Sequence, residues 1–108
     1  MKRSPDFSTI NAAALAALPA VLARLLPDGK VDGREFVALN PCRNDKRPGS
    51  FKIRIAGARA GSWADFASGD RGGDPVSLVA YLEGVSQGEA ARLLARLLGL
   101  EIRGRRYG

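Results

Sequence analysis

The chain has 108 residues, 45% of them apolar and 26% charged, which is the size and composition of one ordinary domain spanning residues 1–108. Seventeen Lys and Arg against eleven Asp and Glu give a net charge of +6, which favours an anionic partner such as nucleic acid or an anionic membrane surface. The chain has no histidine and one cysteine, Cys42, which excludes an intramolecular disulfide, a zinc finger and catalytic sites built on histidine.

The first predicted element is a helical region over residues 8–27, preceded by a flexible tail over residues 1–7. Apolar residues recur at helical spacing throughout this region. Because Pro19 cannot donate an amide hydrogen inside a helix, we expect a kink or two short helices, the second beginning near Pro19. Polar residues such as Asp6 and Arg24 interrupt the apolar run. The sequence therefore predicts no signal peptide and no membrane partner, and we expect a soluble, cytoplasmic protein.

A small antiparallel sheet of about three strands is predicted over residues 34–66. In its second strand apolar residues alternate with Lys52 and Arg54, so that one face belongs to the core and the other is cationic. The turn chemistry of Asp45 to Gly49 predicts a hairpin between the first two strands. The three strands are placed at residues 34–39, 50–56 and 62–66.

A pair of helices over residues 75–99 is predicted to follow the sheet. Asp74 is the expected N-cap of the first helix. Ser86 and Glu89 have the spacing of a capping box that opens the second. Residues 100–108 are expected to form a mobile basic tail. The predicted fold class is thus α+β, a small antiparallel sheet flanked by N-terminal helices and a C-terminal helix pair, with no metal.

The densest cluster of positive charge lies between Arg43 and Arg59, an interval with six basic residues and one acid. Lys52 and Arg54 project from the same face of one strand, a spacing that suits successive phosphates of a single nucleic-acid strand. The same pattern also fits the solvated face of an ordinary sheet. The residues predicted to bind nucleic acid are Arg43, Lys46, Arg47, Lys52, Arg54, Arg59, Trp63 and Arg71.

Two aromatic residues and three acids near the sheet allow further interpretations. An aromatic ring beside a cationic sheet can stack on unpaired bases, and it can equally be a core anchor; both interpretations apply to Trp63 and to Phe66. Carboxylates are the ligands that Mg²⁺ prefers. No metal site is predicted, however, because nothing in the sequence indicates that the carboxylates of Asp65, Asp70 and Asp74 converge on one point.

Three blocks of the chain together form a pattern that is known from other proteins. They are Asn40 to Phe51 (NPCRNDKRPGSF), Trp63 to Phe66 (WADF) and Gly72 to Leu78 (GGDPVSL). They resemble the N-terminal zinc-binding domain of bacterial and phage DNA primases, over a stretch running from about Arg34 to Leu98. In that family the first block reads Cys-Pro-x-His with a Pro-Ser-Phe soon after. The second block carries Cys-x-x-Cys, and a Gly-Gly-Asp leads into a helix.

The zinc-ligand positions of that family carry other residues in this chain. Asn40 and Arg43 stand at the positions of the first Cys and the His, while Asp65 and either Ser68 or Gly69 stand at the last two Cys. The resemblance therefore implies a relative without zinc. Because a structural zinc contributes about 10 kcal/mol to folding, we expect the flanking helices to supply an apolar core in its place.

The resemblance also implies the family's antiparallel sheet with flanking helices, and a role in engaging single-stranded template DNA. We accordingly expect an accessory module of a primase or primase-helicase replication system, from a phage, plasmid or other mobile element. It is expected to be no enzyme and to use no cofactor, because the acid pair and metal cluster that nucleotidyl transfer needs are not found. The alternative is a protein-interaction module of the same fold that docks onto a replicative helicase, primase or polymerase.

Overall fold

The structure, a computed structural model, describes residues 6–43 and 49–100; the predicted tails, 1–7 and 100–108, fall mainly outside these ranges. The described residues form four helices and one five-stranded antiparallel sheet, in which each strand lies beside its neighbour in sequence. The α+β class is confirmed, whereas the predicted strand count of about three is wrong. The elements are α1 (Phe7–Ala16), α2 (Leu18–Leu25), β1 (Lys30–Asp32), β2 (Glu35–Ala38), β3 (Phe51–Arg54), β4 (Trp63–Asp65), β5 (Arg71–Gly72), α3 (Pro75–Glu83) and α4 (Gln87–Leu98).

Two short helices, α1 and α2, replace the single helical region, as the position of Pro19 predicted. The side chain of Asp6 accepts a hydrogen bond from the Thr9 amide at 2.8 Å, so α1 begins at Phe7, within the predicted tail. Pro19 lies in the first turn of α2, where its missing amide hydrogen costs no helical hydrogen bond. No helix in the described ranges is long and apolar enough to cross a membrane by itself, although α1 and α2 together, bent by 95°, have the required length and composition.

The central strands β2, β3 and β4 confirm the predicted hairpin and third strand. Both pairings are antiparallel, and Phe36, Ile53 and Trp63 lie side by side across the three strands. All three of these side chains are buried, so this row forms the inner face of the sheet. Most of the predicted turn at Asp45 to Gly49 lies in residues 44–48, outside the described residues.

The outer strands β1 and β5 were missed because both are short and rich in glycine or in loop residues. Asp32 pairs with Glu35, so a loop of two residues joins β1 to β2, and its Gly33 has φ of +63°, which glycine adopts without steric cost. In β5, Gly72 pairs with Trp63. A Cβ atom at Gly72 would come within 2.5 Å of the indole nitrogen of Trp63, so the glycine permits close packing there.

Helices α3 and α4 confirm the predicted pair and both begin at the predicted caps. Asp74 accepts a hydrogen bond from the Ser77 amide at 2.8 Å, while Ser77 Oγ accepts one from the Asp74 amide at 3.3 Å. The Ser86 hydroxyl accepts a hydrogen bond from the Glu89 amide at 3.1 Å. The Glu89 carboxylate instead lies 3.5 Å from the guanidinium of Arg92, so among the described residues only the Ser86 half of the predicted capping box is formed. The helix starts are therefore fixed locally by their own side chains.

The apolar core lies between the inner face of the sheet and the helices. Leu18, Leu22 and Leu78 belong to the same buried cluster as Phe51 and Ile53. Helices α1 to α4 form a second cluster among themselves. The helices thus supply an apolar core of their own, and they pack on the inner face of the sheet.

Candidate nucleic-acid interface

Strand β3 carries opposite chemistry on its two faces. Phe51 and Ile53 point into the core and are fully buried. Lys52 and Arg54 point outward, with 34% and 38% of their side chains exposed. The alternation predicted from the sequence is therefore confirmed, and the cationic face of the strand is on the surface.

An open groove of about 350 Å³ lies over this outer face. Lys52, Ala64 and Arg71 are register partners across β3, β4 and β5, and because alanine is short the two cations flank a depression. We call this depression the basic groove. Among the described residues, its lining includes four cations and one carboxylate: Lys52, Arg54, Arg59, Arg71 and Glu35.

The cations of the basic groove are weakly neutralised. The Glu35 carboxylate lies 3.7 Å from Lys52 Nζ and 3.8 Å from Arg54 Nη2, which are long distances for an ion pair. Arg54 Nε is buried and has no hydrogen-bond partner among the described residues. Within the same residues Arg59 and Arg71 form no ion pair. The exposed donors of these cations, but not the buried Arg54 Nε, remain available to an anionic ligand.

The two aromatic residues of β4 and its continuation differ sharply in exposure. Trp63 is 5% exposed, its ring centroid lies 4.7 Å from that of Tyr81, and its Nε1 donates to Ser77 Oγ at 3.0 Å. Phe66 is 71% exposed and lines the basic groove. Trp63 also contributes to the lining of the groove, but its ring is too deeply buried to stack on a base, which favours the core-anchor interpretation of Trp63.

A buried polar cluster lies on the inner face at the end of β4. Asp65 is fully buried, and its Oδ2 accepts hydrogen bonds from Asn40 Nδ2 and Arg43 Nε, both at 2.7 Å. Its Oδ1 accepts from Arg43 Nη2 at 3.2 Å and from the backbone amides of Ala67 and Ser68 at 2.8 and 3.2 Å. We call Asn40, Arg43 and Asp65 the Asp65 cluster.

The Asp65 cluster is tied to the surrounding elements by further hydrogen bonds. Asn40 Nδ2 donates to the Tyr81 hydroxyl on α3, and this hydroxyl donates to Asp70 Oδ2, each at 2.8 Å. Arg43 Nη2 donates to Ser50 Oγ at 2.8 Å, just before β3. The cluster therefore links the end of β2, the start of β3, the end of β4 and helix α3.

The pKa values of Asp65 and of the nearby Cys42 are both shifted from their usual values. Burial alone would raise the pKa of Asp65, but the hydrogen bonds from Arg43, Asn40 and two backbone amides outweigh it and hold that pKa far below its usual value. Burial raises the pKa of the Cys42 thiol, and the negative charges of Asp70 and Glu83 add to this effect. Asp65 is thus an anion at neutral pH, whereas Cys42 is a protonated thiol and a poor nucleophile.

The residues predicted to bind nucleic acid divide according to where the structure places them. Four of them, Lys52, Arg54, Arg59 and Arg71, meet in the basic groove. Arg43 instead belongs to the Asp65 cluster, with 31% of its side chain exposed. Lys46 and Arg47 lie outside the described residues.

The residues at the implied zinc positions meet in space, but their chemistry does not fit zinc. Asn40, Arg43 and Asp65 are in direct contact, and Asp65 also binds the amide of Ser68. A guanidinium and an amide group are not zinc ligands. In residues 6–43 and 49–100, no three His, Cys, Asp or Glu side chains converge as a possible metal site.

A second groove, apolar and about 240 Å³ in volume, lies between α2, α3 and α4. Leucines dominate its lining, which also carries one acid. The lining residues are Leu25, Val79, Glu83, Leu93, Leu94 and Leu97. We call it the apolar groove.

No protein-family model matches this chain, and no curated protein matches it significantly.

Two residues of the basic groove, Glu35 and Phe66, were not among the predicted binding residues. Glu35 is the register partner of Arg54, so pairing the first two predicted strands residue by residue would have located it. Phe66 follows Trp63 by three positions, and the alternation of a strand places two such residues on opposite faces.

Proposed function

We propose that this protein binds single-stranded DNA in the basic groove, as an accessory module without enzymatic activity. The observation that carries the proposal is that four cations, from β3, β5 and the loop between β3 and β4, meet in one open groove. A polyanion that contacts several cations at once releases its own condensed counterions, which drives binding without regard to sequence. We expect weak, sequence-tolerant binding whose log affinity falls linearly with log salt.

Charge reversal in the basic groove tests this function. We expect the double variant Lys52→Glu, Arg54→Glu to lose binding to a labelled oligothymidylate, measured by fluorescence anisotropy at low and moderate salt. The matched control is Arg92→Glu, Arg96→Glu, which changes the net charge equally on the exposed face of α4. If the groove variant is folded by circular dichroism and binds like the parent protein, or if both variants lose binding equally, the groove is not the binding site.

The setting we propose is a primase or primase-helicase replication system of a phage, plasmid or other mobile element, in the cytoplasm. The resemblance to the primase zinc-binding domain supports it. Further support comes from the contact among Asn40, Arg43 and Asp65, because the resemblance equates these three positions with zinc ligands. In this proposal, a buried ion pair with its hydrogen bonds occupies the place of the lost metal.

Rebuilding the zinc ligands tests this kinship. The variant combines Asn40→Cys, Arg43→His and Asp65→Cys with either Ser68→Cys or Gly69→Cys. We expect one of the two versions to bind one Zn²⁺ and to need it for folding, because a structural zinc contributes about 10 kcal/mol. Circular dichroism with and without a chelator, and the thiolate absorption of bound Co²⁺, are the measurements.

The parent protein serves as the control for this experiment, and a chelator should leave its melting temperature unchanged. Failure of both rebuilt versions to bind zinc would contradict the kinship. It would leave the DNA-binding proposal standing, since that proposal depends on the basic groove alone.

The apolar groove favours a second candidate function, docking onto a replicative helicase, primase or polymerase. A groove lined by several leucines is suited to an apolar segment of another protein. Salt-dependent binding of single-stranded DNA by the purified protein supports the first function. Co-purification of one of these replication proteins, in a chain that binds no DNA, supports the second.

A further inference from the structure

We propose that Phe66 is the residue that stacks on an unpaired base in the basic groove. This inference rests on the proposed DNA-binding function and deepens it. A side chain can stack only on a base that is unpaired and is not already covered by neighbouring bases on both of its faces. The ligand of the groove would then be recognised by charge and by an exposed aromatic ring together.

The position of Phe66 sets it apart from the other exposed apolar residues. Single apolar side chains on a surface are common and need no explanation. Phe7, Leu15 and Val31 are of this kind, being 43%, 40% and 57% exposed and lying outside the groove lining. Phe66 is 71% exposed and stands among the four cations. An open aromatic ring inside a cationic groove is the arrangement that sequence-tolerant binders of single strands use.

The backbone of Phe66 is fixed, and one cation lies over its ring. Its backbone amide donates to the Ser50 carbonyl at 2.7 Å, which continues the pairing of β3 and β4 by one residue beyond the strand ends. Lys52 Nζ lies 5.9 Å from the ring centroid, within the range of a cation–π contact. Because the backbone is fixed, a base that stacks on the ring does not have to order a loose loop first.

Lys52 joins the two parts of the proposed site. Its ammonium group contacts the Phe66 ring, and it is also the register neighbour of Ala64 at the floor of the groove. A nucleotide whose base lies on Phe66 therefore has its own or a neighbouring phosphate within reach of Lys52, with Arg71 on the far side of Ala64. This arrangement commits the groove to a single strand in which base and backbone are recognised together.

Two substitutions at Phe66 test the inference. We expect Phe66→Ala to weaken binding to labelled oligothymidylate by roughly 5- to 100-fold, which is the effect of losing one stacked base. Binding to an abasic oligonucleotide of the same length should not change, because that probe offers phosphates and sugars only. Phe7→Ala, which removes an exposed phenyl ring outside the groove, is the matched control and should leave both affinities unchanged.

Phe66→Trp supplies a direct readout. The variant should keep the affinity for oligothymidylate, and its emission should be quenched by oligothymidylate but not by the abasic probe. Trp63, which is buried, gives a constant background and reports on folding.

The outcomes separate this inference from the proposed function. If the parent protein binds both probes in a salt-dependent way and Phe66→Ala binds both equally well, stacking by Phe66 is wrong and the DNA-binding function stands. Equal weakening on the two probes also contradicts stacking. If the parent protein binds neither probe, the proposed function and this inference fail together.

Discussion

The Asp65 cluster and the basic groove lie on opposite faces of the same strands and treat charge in opposite ways. In the Asp65 cluster one fully buried carboxylate accepts five hydrogen bonds, two of them from Arg43. In the basic groove one carboxylate forms long ion pairs with only two of the four cations. A buried charge is tolerated only when it is matched, whereas exposed cations without matching acids remain available to a ligand. The cluster should therefore govern stability, and the groove should govern binding.

The largest effect that would sharpen this comparison is expected from Asp65→Asn. The amide nitrogen of asparagine cannot accept a hydrogen bond. Depending on its orientation, either Asn40 Nδ2 and Arg43 Nε, or Arg43 Nη2 and the amides of residues 67 and 68, would therefore face another donor. We expect the free energy of unfolding to fall by about 3 kcal/mol, which is typical of breaking a buried ion pair. Urea unfolding followed by circular dichroism measures it, and DNA affinity of the folded variant should stay as in the parent protein.

Asp70→Asn is the control for this variant, because Asp70 also accepts a side-chain hydrogen bond but lies on the surface. It should cost less than about 1 kcal/mol. If the two variants are equally stable, or if Asp65→Asn abolishes binding while remaining folded, the division between cluster and groove is wrong.

Acidification offers a second way to break the comparison. The pKa of Asp65 in the folded protein lies below its ordinary value of 3.8. The ionised carboxylate therefore stabilises the folded protein fully near neutral pH. This stabilisation is lost as the pH falls through about 4 toward the lower folded pKa, because protons then bind the unfolded chain first. Urea unfolding at a series of pH values should show this loss in the parent protein. The profile of Asp65→Asn should be flatter over the same range, and parallel profiles would contradict the role given to Asp65.

The sequence was sufficient for features that depend on near neighbours. The alternation around Lys52 and Arg54 predicted the two faces of β3, Pro19 predicted the break between α1 and α2, and Asp74 predicted the start of α3. These signals act within a few residues, through strand alternation, a missing amide hydrogen and a cap.

The sequence was insufficient where distant residues decide the outcome. The sequence indicates no structural role for Asp65, because its partner Asn40 lies 25 residues away in the chain. Asn40 also donates to Tyr81, which lies 41 residues from Asn40. For the same reason the sequence predicts Arg43 as a nucleic-acid contact, although its guanidinium is directed to Asp65. Strand alternation places Trp63 and Phe66 on opposite faces, but the burial of Trp63 depends on the packing of Tyr81 and Gly72 against it. The sequence therefore predicts Trp63, and not Phe66, as a binding residue.

The smallest effect that would sharpen the comparison is expected from Glu35→Gln. The Glu35 carboxylate competes with a phosphate for Lys52 and Arg54, so removing its charge should strengthen binding of oligothymidylate. Partly exposed ion pairs contribute up to about 1 kcal/mol, so we expect the affinity to rise about 2- to 5-fold. Fluorescence anisotropy titrations at low salt measure this gain, which should shrink as salt is added.

Glu89→Gln is the matched control, because Glu89 also pairs with an arginine, Arg92, at 3.5 Å, but on α4 and outside the groove. Both variants raise the net charge by one, so only a local effect distinguishes them. A gain confined to Glu35→Gln would show that Glu35 tunes the affinity of the basic groove for anions. An equal gain in both would mean that net charge alone attracts the DNA, and the groove would lose its special role.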